Sequence, residues 1–191
     1  MVKLLVLSLL VALTSATPPH SPTDKVVEKS IFHVGMMVSA TEIVHATTEG
    51  VKKELLTEAV KSHKPNEVEL TSVNLDEDWK NAAVEWANNE IGADYNDIFS
   101  PDFINSKAKR SFYCCQFVQE AYKQTKPDDQ EDAFPEHTLN FKDKDGKLID
   151  HFKKHYEEKN LPIPQDVKGS HPSKQHTAAF IKHVETVKIV H

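Results

Sequence analysis

The sequence predicts a single-domain α+β fold, and three observations predict it. Apolar, β-prone or alternating segments at 30–38, 42–46 and 68–73 read as strands. Apolar residues at helical spacing over 76–91 and 114–124 read as helices. The 191 residues carry no internal repeat and no long linker, so one core suffices. With 39% hydrophobic residues the chain exceeds what disorder tolerates. Its 23 basic and 29 acidic side chains leave a net charge of -6, which argues against a nucleic-acid-binding face.

In chain order, residues 1–16 read as a secretory signal peptide. Lys3 supplies the positive start, Leu4 to Leu13 the short apolar run, and Thr14-Ser15-Ala16 the small residues of a cleavage site. A buried N-terminal helix is the alternative. The expected location is therefore extracellular, or the lumen of the secretory or lysosomal pathway. Residues 17–29 are rich in Pro, Ser and Thr and read as a loose lead-in to the domain at 30–191. No apolar run in the body is long enough for a transmembrane helix.

The segments 30–38 and 42–46 are joined by a short connection and are expected to form a hairpin. Residues 50–63 have Val51, Leu55, Leu56 and Val60 at helix-like spacing. Residues 68–73 alternate as a strand. The 76–91 helix starts with acidic residues and is followed by Gly92. Residues 93–111 form a long loop anchored by Tyr95, Phe99 and Phe103. Another helix is expected over 114–124, an exposed acidic loop over 126–137, a surface helix over 147–159 and a closing strand after about 180.

The only cysteines, Cys114 and Cys115, are adjacent. Either they form a strained vicinal disulfide or they remain thiols. A thiol in an oxidising compartment is there for catalysis or is an inert, buried small residue. Cys114 lies on the apolar face at the first turn of its helix, where backbone N–H groups and the helix dipole stabilise a thiolate. His33 and His45 are the polar members of two apolar strands. Singly, each reads as a satisfied core histidine. In a hairpin, both imidazoles lie on one sheet face, as a base and a group that orients it.

His33-Val-Gly-Met, Ile43-Val-His-Ala46, Gly92-Ala-Asp-Tyr95-Asn96 and Phe112-Tyr-Cys-Cys-Gln-Phe-Val118, in this order, resemble the permuted papain-fold cysteine hydrolases of the NlpC superfamily, YiiX-like group. The resemblance covers roughly 30 to 170. It implies an antiparallel sheet packed on a central helix that starts at the nucleophile. It also implies Cys114 as nucleophile, His33 as general base and His45 as third triad member, where relatives have Glu, His, Asn or Gln. Tyr95 matches the tyrosine of the Gly-x-x-Tyr element, which implies an oxyanion or substrate contact. Cys115 and Gln116 depart from the family's usual Ser and Glu.

The implied activity is hydrolysis of a small peptide, amide (including peptidoglycan-type) or acyl bond through a thioester. Two alternatives stand beside it. One is acyl transfer or ester cleavage on lipids, because lecithin:retinol acyltransferase relatives share the His, His, Cys order. The other is a silent binding protein locked by a Cys114–Cys115 disulfide. No cofactor and no metal are expected. His151 and His155 share a helix face but stand among lysines. Asp143-Lys-Asp-Gly146 lacks the closing Glu of a calcium loop and reads as a turn.

Overall fold

The computed structural model describes residues 9–14, 31–142 and 145–190. In chain order the strands β1 (Leu9–Thr14), β2 (Ile31–Met37), β3 (Glu42–Thr47) and β4 (Gly50–Leu55) precede helix α1 (Leu56–His63). Then come β5 (Glu67–Val73), α2 (Glu77–Asn89), the short β6 (Asp94–Tyr95) and β7 (Ser111–Phe112), and α3 (Cys114–Gln124). The chain continues through β8 (His137–Thr138), α4 (Asp150–Lys159), β9 (Lys168–Gly169), α5 (Pro172–His176) and β10 (Ile181–Lys188). The fold is mixed α and β. Its main sheet has six strands in the order β10-β5-β1-β2-β3-β4, with antiparallel neighbours throughout.

Period-2 alternation assigns the two faces of this sheet. Leu10, Ala12, Val34, Met36, Val44 and Ala46 pack with residues of α2 and α3, such as Ala83, Phe117 and Val118. Val11, Leu13, Met37, Ile43 and Val68 pack on the other face with Ala59 of α1. On α3 the side chains from Cys114 to Tyr122 are all buried, so this helix is interior rather than amphipathic at the surface. Gln116 ties its first turn to the loop after β6. Asn96 donates from Nδ2 to Gln116 Oε1 at 2.9 Å, and Gln116 Nε2 donates to the Ser100 carbonyl at 2.9 Å. From α4, Tyr156 donates to the Ile98 carbonyl, which fixes the same loop from outside.

Three sequence expectations change. The apolar run read as the core of a leader supplies β1, which lies between β5 and β2. A run that is apolar on both faces is what a doubly covered strand requires, so composition alone does not separate the two uses. The rest of the leader assignment and the 17–29 lead-in lie outside the described residues, as do Asp143 and Lys144 of the assigned turn. The segment 50–63 is not one helix. A tight turn at 47–50 sends the chain back along β3 as β4, and only the residues from Leu56 onward are helical. The loop over 126–137 is exposed or half-buried except at Ala133 and Phe134, which enter the core beside Tyr122.

Candidate active site

β2 and β3 form the expected hairpin, paired at Met36↔Val44 and Met37↔Ile43. His33 and His45 meet within it. Their Nε2 and Nδ1 atoms are 2.8 Å apart in a buried hydrogen bond. Gly35 allows this approach, because a Cβ there would lie 2.6 Å from Ile43 Cδ1 and 2.8 Å from the His45 Cβ. Gly35→Ala is expected to push β3 away and separate the imidazoles. The cost should be about 1–3 kcal/mol, the usual range for overpacking, measured by chemical denaturation.

β4 adds a residue that sequence reasoning missed. Glu54 Oε1 lies 2.9 Å from His45 Nε2. The register places His45 opposite Lys52, so Glu54 is its diagonal neighbour on the same face. A carboxylate only accepts, so His45 carries its proton on Nε2 and leaves Nδ1 as a lone pair. His33 Nε2 must then be the donor in the bond between the two rings. Burial, followed by the positive forms of His33 and His63 and by Lys52, lowers His45 to about 3. The carboxylate pulls the other way but is outweighed. His45 is therefore a neutral acceptor at ordinary pH.

Cys114 is a neighbour of His33, which helps to hold its thiol below the usual range. Cys114 and Cys115 are both buried, free thiols. The adjacent Cys115 thiol is the largest influence holding Cys114 well below the usual thiol range. His33 and the Val34 backbone act in the same direction, against the cost of burial. Burial, followed by the adjacent Cys114, pushes Cys115 well above the usual range. The pair thus separates into one sulfur ready to ionise and one that stays protonated.

Tyr95 is held by the parallel pairing of β6 with β7, which leads directly into α3. Burial, then the nearby Cys114, raises its phenol well above the usual value, so it remains a donor. Tyr95 also lines a cavity of about 540 Å³ together with Glu49, Phe99, Lys107, Phe152 and His155. His151 and His155 belong to this cavity. The His155 Nε2–H donates to the Asp97 carbonyl at 2.6 Å, so His155 anchors the loop after β6.

A second missed residue is His63, in the last turn of α1. Its ring stacks on His33 with centroids 4.4 Å apart, and lies 5.6 Å from the His45 ring. His63 Nδ1 lies 3.0 Å from the Ala59 carbonyl, which can only accept, so the proton is on Nδ1 and Nε2 is a lone pair. Among the described residues, His33, His45 and His63 form a cluster whose ring nitrogens lie within 4.8 Å of one another.

Residues 13–185 match the model of a family described as permuted papain-like amidase enzymes, YaeF/YiiX, C92 family. Among solved structures, the crystal structure of the metalloprotein YiiX from Escherichia coli O157:H7 is similar with a TM-score of 0.68 and 15% identity. That similarity in fold covers 95% of this chain and 97% of that one. No curated protein sequence matches. With the family match spanning most of its length, the chain belongs to the permuted papain-like amidases, enzymes of the cysteine hydrolase type.

Proposed function

We propose that this protein hydrolyses an amide bond of a small peptide or related substrate through a thioester on Cys114, as a member of the wider NlpC superfamily. The observation that carries this reading is the line of contacts His33, His45, Glu54, both under 3 Å, with Cys114 beside His33. His33 Nε2 is engaged by His45, so Nδ1 is the nitrogen left for the thiol. The Cys114 sulfur attacks the carbonyl carbon and its proton passes to His33 Nδ1. The oxyanion is met by the Cys114 backbone N–H and the Tyr95 hydroxyl. His33 then gives its proton to the leaving nitrogen and the C–N bond breaks. Water, deprotonated by His33, attacks the thioester and releases the acid and the free thiol. His45 and Glu54 hold the base in the tautomer that accepts from sulfur, as the third member of a triad does.

The amidase family supports a peptide or amide over a lipid. The cavity that Tyr95 lines includes none of Cys114, His33, His45 and Glu54, so it does not by itself choose the substrate. The free thiols favour catalysis over the silent, disulfide-locked alternative. Among the described residues no helix is long and apolar enough to cross a membrane. YiiX is described as a metalloprotein. In this chain the donors that suit an ion are the three clustered imidazoles.

The test is covalent labelling with an electrophilic acyl probe, read by peptide mass mapping. Wild type should be labelled at Cys114, and His33→Ala should lose the label. Equal labelling of both proteins, or labelling at Cys115 alone, would remove the basis for this mechanism.

A further inference from the structure

We propose that His33, His45 and His63 form a zinc-binding site whose occupation switches the hydrolase off. The effect on activity rests on the mechanism above, whereas the binding site rests on the cluster alone. Three imidazoles with their ring nitrogens within 4.8 Å of one another are the donor set of an open zinc site, with water as fourth ligand. Zinc bound by two imidazoles at ordinary bond lengths sets their nitrogens about 3.3 Å apart. His33 and His45 stand a little inside that spacing, so the main movement required is of His63. His63 is free to make it, because it is half-buried on a short helix rather than locked in the sheet.

Each donor's protonation suits the task. His63 presents an Nε2 lone pair, because Nδ1 is committed to Ala59. His45 presents the Nδ1 lone pair that now accepts from His33, and Glu54 on its Nε2 is the carboxylate that commonly orients a zinc-bound histidine. The cluster also sits at the C-terminal end of α1, the negative end of the helix dipole, where a cation is favoured. Lys52, at 3.4 Å from Glu54, is the opposing charge, and Glu49 also engages it.

His63 has no part in the proposed hydrolysis, yet it lies against the catalytic base. An ion held by His33 Nε2 replaces the hydrogen bond between the two inner histidines. His33 then keeps its one proton on Nδ1, facing Cys114, and has no lone pair left to accept from the thiol. Starting from the thiol and an imidazole protonated on Nε2, the ring proton moves to Nδ1, none is released, and the thiol keeps its proton. Zinc and substrate turnover are therefore mutually exclusive, and the inhibitory ion needs a histidine that catalysis does not.

The experiment uses the full chain freed of metal by chelation, titrated with Co2+ for its visible absorption and with Zn2+ in competition. Wild type and Cys114→Ser should each bind one ion per chain, and His63→Phe, which keeps the stacked ring, should lose the site. Zn2+ should block acyl-probe labelling of wild type, while His63→Phe should label equally with and without Zn2+. His63→Leu, read the same way, serves if the Phe variant fails to fold. Absence of stoichiometric binding by wild type, loss of binding in Cys114→Ser, or unchanged binding in His63→Phe would each overturn the proposal. Failure of metal-free wild type to label would count against the hydrolase mechanism, while the Co2+ spectrum still decides the site.

Discussion

Replacing Cys114, His33, His45 and Glu54 one at a time is expected to lower amide hydrolysis in descending steps. Cys114→Ser removes the ionised sulfur and should cost on the order of ten-thousandfold in kcat/KM. His33→Ala should cost a similar amount, because nucleophile and base act as a unit and their losses do not add. His45→Ala leaves the base unoriented, for a loss of about a hundredfold to a thousandfold. Glu54→Gln has the smallest cost, about tenfold. An amide that turns its NH2 toward His45 moves the His45 proton to Nδ1, which then opposes the donor on His33. The assay is initial rates on a peptide amide that wild type cleaves, with circular dichroism to confirm folding. A Glu54→Gln variant at full rate would end the line at His45. A Cys114→Ser variant at full rate would end the thiol mechanism.

Acid should unfold this protein through His45. Its ordinary value is 6.5, and burial beside two imidazoles and Lys52 lowers it to about 3 in the folded state. Between those values the unfolded chain binds a proton that the folded chain refuses. Folding stability is therefore fully present above pH 6.5 and falls as pH drops toward 3. The loss across this window should reach a few kcal/mol, an order-of-magnitude figure that the Glu54 carboxylate reduces. His63, also lowered by burial, adds in the same direction. Urea denaturation at several pH values, with a chelator present, measures the slope. His45→Gln should flatten it, and an unchanged slope in that variant would assign the acid sensitivity elsewhere.

Part of the site was legible because polar residues stood out against apolar strands. His33 and His45 interrupt runs that are otherwise buried, and Cys114 opens a helix whose apolar face it shares. The His-x-Gly spacing was legible too, although its reason is the contact between Gly35 and His45 across the hairpin. Glu54 was hidden by one error. Val51, Leu55, Leu56 and Val60 fit a helical period across the point where the chain changes from β4 to α1. Read as a helix, the segment gives Glu54 no route to His45. As an edge strand it sets Glu54 diagonally across from that ring. His63 carries no pattern of its own, and only the packing of α1 on the sheet brings it to His33. β1 was ambiguous for a related reason, since hydrophobicity records burial but not the partner.

The position of β1 ties the proposed catalytic strand to the amino-terminal segment. Leu13 is paired with His33 on one side and with Val68 on the other, so β1 clamps the strand that carries the proposed general base. A protease that trimmed the chain past Thr14 would leave β5 and β2 facing each other across a vacant strand width, with two rows of unmatched N–H and C=O groups. The sheet would have to recruit a replacement strand or close the gap, and either movement shifts His33 relative to Cys114. Amino-terminal processing would thus act as an irreversible disarming step, inverting the zymogen logic in which removal of a leading segment releases activity.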